Sequence, residues 1–237
     1  MSNGSDKNEY PSKYFFKKSS QVNLAIHTVI ESCISNMELM GRFLYPYSIM
    51  PHTPLQHVVE KIKHSNKLPI HPSNFWVGIH SYAYIKSFQF AGLSAISGLT
   101  YYGIDIRKNG LTRENSLMMT GNSFYAIEVF LRIQAMGAFN LHRFETISRR
   151  GSAFGAVGDS IKMINYIAER DYPTALMYGL LSAGNLGMMM HSIEHPTGVG
   201  RNFAGIFKTI SPTIFFRSAI PLCFYSIYKI FYSNDKH

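Results

Sequence analysis

Residues 172–193 read YPTALMYGLLSAGNLGMMMHSI, 22 positions without an Asp, Glu, Lys or Arg. A helix rises about 1.5 Å per residue and a bilayer's hydrocarbon core is about 30 Å thick, so this run is long enough to cross. Inside it Ala175, Gly179, Ala183 and Gly187 fall at four-residue steps. On a helix they share one face and leave it nearly flat. A glycine in a water-exposed helix costs about 1 kcal/mol relative to alanine, and close approach of a second helix is the usual compensation in membranes. These four residues are the candidate helix-packing stripe. Asp171 is a good N-cap and Pro173 is tolerated in a first turn, so the helix starts there.

Upstream, 169–171 makes a charged corner, and 152–168 reads as a helix with Asp159 and Lys162 on its polar side. Ser152, Ala156 and Ser160 also lie four apart. They offer a partner for the stripe, a second copy of the chain being the other one. The stretch 151–190 is then a helical hairpin. It resembles the small-residue helical hairpins of bacterial membrane-active toxins, in composition rather than in fixed residues and over about a sixth of the chain. The resemblance implies insertion into a membrane and pore formation.

Working outward, 1–20 reads as a flexible basic tail and 21–237 as a single helical membrane-associated domain. From Asn23 to Tyr45 the spacing predicts an amphipathic helix, with Ile26, Ile30, Met37 and Met40 on one face and Glu31, Glu38 and Arg42 towards the polar side. Such a helix lies on a surface and does not cross. Residues 54–68 suit a short helix. Ser73 caps the next one, whose second half, 87–104, has 18 residues without charge. Arg107 to Gly110 form a basic turn, and a helix from Ser116 to Phe139 carries Glu128 and Arg132 at i,i+4. Pro212 and Pro221 break 202–231 into two short helices or one kinked one. Thr120-Gly121-Asn122 and Ala183-Gly184-Asn185 echo each other, a faint sign of a duplicated hairpin. The fold class is therefore all-α: a membrane-associated bundle of about six helices with a central small-residue hairpin.

Composition agrees. Apolar residues make up 46% of the chain and charged ones 16%, against about 25% in an average soluble domain. The net charge is +9. Basic pairs (Lys17-Lys18, Arg107-Lys108, Arg149-Arg150) flank apolar stretches, which suits anchoring at a lipid interface and argues against nucleic acid as a partner. Cys33 and Cys223, far apart, form no disulfide framework, and no apolar run follows the polar start as a secretory signal requires.

Chemistry is sparse. His191-Ser192-Ile193-Glu194-His195 matches H-x-x-E-H, which makes His191 and His195 the candidate metal ligands. Pro196 follows at once, and Asp235 is the one acid left downstream for a third ligand. Gly198 to Phe203 lacks the last glycine of a dinucleotide loop, and Ile206 stands where a P-loop needs Lys. No Ser-His-Asp set emerges, and His52, His57, His64, His71 and His80 are scattered. The expectation is a non-enzymatic helical membrane protein without cofactor, a membrane-inserting pore-forming toxin or effector. The alternatives are a structural or accessory subunit of a larger helical membrane complex, and a soluble all-α binding domain or metal-dependent enzyme. The expected partners are the lipid bilayer and other membrane subunits or a second copy; the expected location is a membrane.

Overall fold

The helices start and stop on local signals. The computed structural model describes residues 11–44, 72–136, 141–190 and 203–232, and among these every element is a helix. They are α1 (Pro11–Leu44), α2 (Pro72–Asn109), α3 (Arg113–Met136), α4 (Leu141–Ala168), α5 (Tyr172–Met190) and α6 (Phe203–Tyr232). Pro11 and Pro72 open their helices, where a missing N–H is no loss.

Two tight corners set the register. At the first, Arg107 and Lys108 sit in the last turn of α2, against its partial negative end. Gly110 then takes the left-handed conformation (φ 77°) and its N–H returns to Ile106 O at 2.9 Å. Thr112 and Asn115 cap α3 reciprocally: Asn115 N–H donates to Thr112 Oγ1 (3.2 Å) and Thr112 N–H to Asn115 Oδ1 (2.8 Å). The Asn115 amide also donates to Gly110 O and to Asp105, so one buried side chain fixes the whole turn. At the second corner, Arg170 is left-handed (φ 60°). Arg170 N–H reaches Ile167 O, and Asp171 N–H reaches Tyr166 O at 2.9 Å, a Schellman ending for α4. Asp171 then caps α5, its carboxylate accepting from Thr174, and Lys229 at the end of α6 reaches the same carboxylate at 2.8 Å. Lys13 of α1 bonds Asp105 of α2.

These links bring the start of α1 and the end of α6 to the end of the bundle that holds both corners. The main packing pairs are α1·α2, α2·α3, α3·α4, α4·α5, α5·α6 and α6·α1. Each helix therefore has two neighbours and the six close into a ring, running alternately up and down. Leu24, Ala91, Val129, Met177, Leu181 and Phe216 are among the residues that fill its core.

Several expectations change. The segment 11–20 belongs to α1 and is no tail. Of the two arrangements expected for 202–231, the structure takes the single helix, 203–232, through both prolines. On α1 Glu31 is wholly buried while Ile26 and Ile30 are half-buried, so the face assigned to water points into the bundle. Asp159 and Lys162 of α4 are buried as well. Hydrophobic periodicity assumes water outside and oil inside; here that assumption inverts the faces. The helix expected at 54–68 lies outside the described residues.

The echo between 120–122 and 183–185 gains a structural counterpart. Gly121 and Gly184 both lie against a neighbouring helix, and Asn122 and Asn185 are both buried. A shift of 64 residues lays the buried Ser87, Phe88, Ala91, Ser94, Ala95 and Gly98 of α2 over the buried Gly151, Ser152, Gly155, Gly158, Asp159 and Lys162 of α4. The α3–α5 echo runs at a shift of 63 and the α2–α4 match at 64, so the two helix pairs resemble each other separately and not in one common register.

Candidate functional site

Five ionisable side chains that sequence periodicity turns outward lie inside the ring: Glu31, Glu128, Arg132, Asp159 and Lys162 are each 3% exposed or less. Arg132 of α3 is the hub. Its Nη2 donates to Glu128 Oε1 one turn back (2.7 Å), to Asn185 Oδ1 of α5 (2.8 Å) and to Ser152 Oγ of α4 (3.2 Å). Its Nη1 lies 3.9 Å from Glu31 Oε1 of α1. The i,i+4 pairing of Glu128 with Arg132 follows from sequence spacing; the reach to α1, α4 and α5 does not.

A directed hydrogen-bond chain feeds this hub. His27 Nδ1 lies 3.1 Å from Ser87 O and 2.7 Å from Ser87 Oγ. A carbonyl only accepts, so Nδ1 carries the hydrogen. The Ser87 hydroxyl accepts from His27 and donates its own hydrogen to Glu31 Oε1 at 2.7 Å. The hydrogen bonds run His27, Ser87, Glu31; Glu31 then faces Arg132 as an ion pair at 3.9 Å, and Arg132 bonds Glu128, across α1, α2 and α3.

On the far side, Asn185 Nδ2 donates to Asp159 Oδ2 (3.2 Å), and Lys162 stands one turn beyond Asp159. The Lys162 ammonium lies over the rings of Tyr125 (4.7 Å) and Tyr178 (5.3 Å), aromatic faces that stabilise a buried cation. Gln21 links Tyr178 to Ser226, so α6 joins the network. Four atoms of the cluster have no hydrogen-bond partner: Glu31 Oε2, Glu128 Oε2, Arg132 Nε and Tyr125 OH.

Glycine makes room for these groups. A Cβ on Gly155 would stand 2.1 Å from Glu128 Oε2, and one on Gly151 3.0 Å from Arg132 Cγ. Gly121 and Gly158 face each other, each blocking the other's Cβ with its backbone oxygen at 2.8 to 3.0 Å. The closest helix approach is thus α3 on α4. Of the stripe read from sequence, Ala175 and Gly187 are buried and Ala183 is half-buried; a Cβ on Gly179 would meet the flexible Met163 Sδ at 3.1 Å. The serines opposite do meet α5: Ser182 donates to Ala156 O, and Ser160 lies 2.9 Å from Ser182. His191 and His195, the expected metal ligands, lie outside the described residues, as do Glu194 and the loop 198–202. No cluster of three metal-binding side chains occurs among the described residues.

The outer surface is the reverse of the interior. The charged residues of 19–36, 115–136 and 151–168 all point inward, and 87–104 and 172–190 contain none. Five helices therefore each show an outward face free of Asp, Glu, Lys and Arg for 18 to 22 residues, the stretch on α1 being staggered against that on α2, since Ser19 meets Ser97 and Lys13 meets Asp105. Ile96, Phe130, Ile164, Leu176, Ile214 and Phe224 are exposed on it. Arg217 of α6 is the exposed exception. By length and composition, among the described residues α6 alone contains a candidate span, Pro212–Tyr232.

A scan of family models, a search of curated proteins and a search of solved structures each returned no match for this chain.

Proposed function

We propose that the chain is a non-enzymatic membrane protein whose six-helix ring is embedded in the bilayer and handles a small polar or charged solute in its interior. One observation carries the reading: ionisable groups are inside and the charge-free surface is outside. Lys, Arg, Asp and Glu are almost never fully buried in soluble domains unless paired, and within a membrane bundle they face the interior and mark solute or ion pathways. Eighteen helical residues span about 27 Å, close to the hydrocarbon thickness. Composition by helix hides this, because inward charges lower the hydropathy of helices whose outer faces have none.

The closed ring favours a resident bundle over an inserting hairpin. Leaving the ring would strip α4 and α5 of Arg132, the partner of Ser152 and Asn185. A second reading, an accessory subunit of a larger assembly, has Arg217 in its favour: an outward cation within the apolar belt calls for a partner.

Single cysteines test the embedding. In a Cys33→Ser, Cys223→Ser background, Ile96→Cys and Ile164→Cys should resist a charged maleimide in native membranes, while Leu111→Cys at the first corner reacts. All three are at least half exposed on the protein. Equal labelling of the three, together with release of the chain by alkaline carbonate, would place the protein in water. Solute flux in vesicles, against co-purification of stoichiometric partners, separates the two membrane readings.

A further inference from the structure

We infer that the Glu31–Glu128 pair shares one exchangeable proton. This deepens the reading of the interior as a working site and rests on it. Two carboxylates face the single guanidinium of Arg132, while Asp159 has Lys162 one turn away. Among the described residues, the Arg132 neighbourhood therefore carries one negative charge too many.

The remaining groups around the pair do not remove that excess. His27 approaches from α1 through Ser87, Tyr84 stands on α2 and Tyr125 on α3. Asp159 and Lys162 come from α4, Tyr178 from α5, and the Cys223 thiol of α6 is bound to Thr28. Glu31 Oε2 and Glu128 Oε2 receive no donor, although Glu31 is 0% and Glu128 2% exposed. A bare anionic oxygen in such a place costs far more than the oxygen of a neutral acid. Glu128 Oε2 is pressed towards the α4 backbone at Gly155, which leaves that side of it room for a hydrogen and not for a hydrated ion.

The step is a simple one: a carboxylate of the pair and a proton form a carboxylic acid, and ionisation reverses it. No oxidant or co-reactant is involved. The hydrogen bonds from His27 through Ser87 to Glu31 end on the pair, the Ser87 hydroxyl accepting from His27 and donating to Glu31.

Difference infrared spectroscopy of the chain in bilayers, in H2O and D2O, tests this. The expected result is one deuterium-sensitive carboxylic-acid band at neutral pH in the unsubstituted chain. Glu31→Gln and Glu128→Gln should each abolish it, because either leaves a single carboxylate on Arg132. Asp159→Asn should retain it. Glu128→Gln copies the neutral acid in shape, so it should unfold thermally at or above the unsubstituted midpoint. The assignment is overturned if the band is missing, if it survives both Gln changes, or if Asp159→Asn removes it. Flux in vesicles is scored separately: a band that behaves as expected without any flux retains the proton site and removes the solute path.

Discussion

Gly155 shows how a single missing methyl decides what the interior can hold. Alanine there would put Cβ 2.1 Å from Glu128 Oε2, with Arg132 holding the carboxylate from the other side. Gly155→Ala should lower stability by about 1–3 kcal/mol, the usual range for overpacking, as read by thermal unfolding in detergent. Gly179→Ala meets only the end of Met163, which turns aside, and should cost less than about 1 kcal/mol in the same assay. A larger loss at Gly179 than at Gly155 would return the close contact to the stripe. The four-residue steps of that stripe were legible in the sequence. The steps of Gly151, Gly155 and Gly158 were equally available, but their meaning depended on Glu128 and Arg132 lying opposite, and no spacing along one helix reveals what faces it.

Between helices the corners do the aligning, and both can be tuned. Arg170 adopts a left-handed conformation that disfavours a side chain, at a position where Schellman endings usually carry glycine. Arg170→Gly removes that strain, at some cost in unfolded-chain entropy, and should leave a gain of a few tenths to about 1 kcal/mol, seen as a higher unfolding midpoint. The corner acids respond to pH. Burial alone would push Asp105 up, but the ammonium of Lys13 and the amides of Asn115 and Asn109 outweigh it and hold the carboxyl below its ordinary 3.8. Asp171 is held below 3.8 in the same way, by Lys229 and Thr174 against burial. A depressed carboxyl contributes stability that is complete above its unfolded value and fades as pH falls through its folded one. Asp105→Asn should therefore lower the unfolding midpoint near neutrality, by an equivalent of about 1 kcal/mol or less, and the difference should begin to shrink at about pH 3.8 and vanish once the pH is below the folded value. A constant difference down to the acid limit would remove the ion pair from the account. These corners were the most readable part of the sequence: Asp171, Pro173 and the basic turn before Gly110 announce themselves locally. The extent of α1 and the unity of α6 did not, since the contacts of Lys13 and Lys229 are with residues 92 and 58 positions away.

At the scale of the molecule, the all-helical class of the described residues followed from periodicity and breakers. The orientation of the faces did not. Glu31, Asp159 and Lys162 were placed on a polar side because charge normally seeks water, and the ring supplies instead a guanidinium, a hydroxyl, one amide and two tyrosine faces. The same ring brings the first helix against the last, with Lys18 of α1 4.5 Å from the ring of Phe231 on α6. The peptide chain is thus a circle cut once, and the cut lies where the strands of an ordinary loop would otherwise pass. A covalent ligation of the two ends should leave the architecture untouched, and new ends opened at Gly110 should give a permuted chain with the same interior. The even number of described helices also fixes parity: Pro11 of α1 and Tyr232 of α6 lie at the same end of the ring, so two halves of a split reporter joined at those positions would meet on one side.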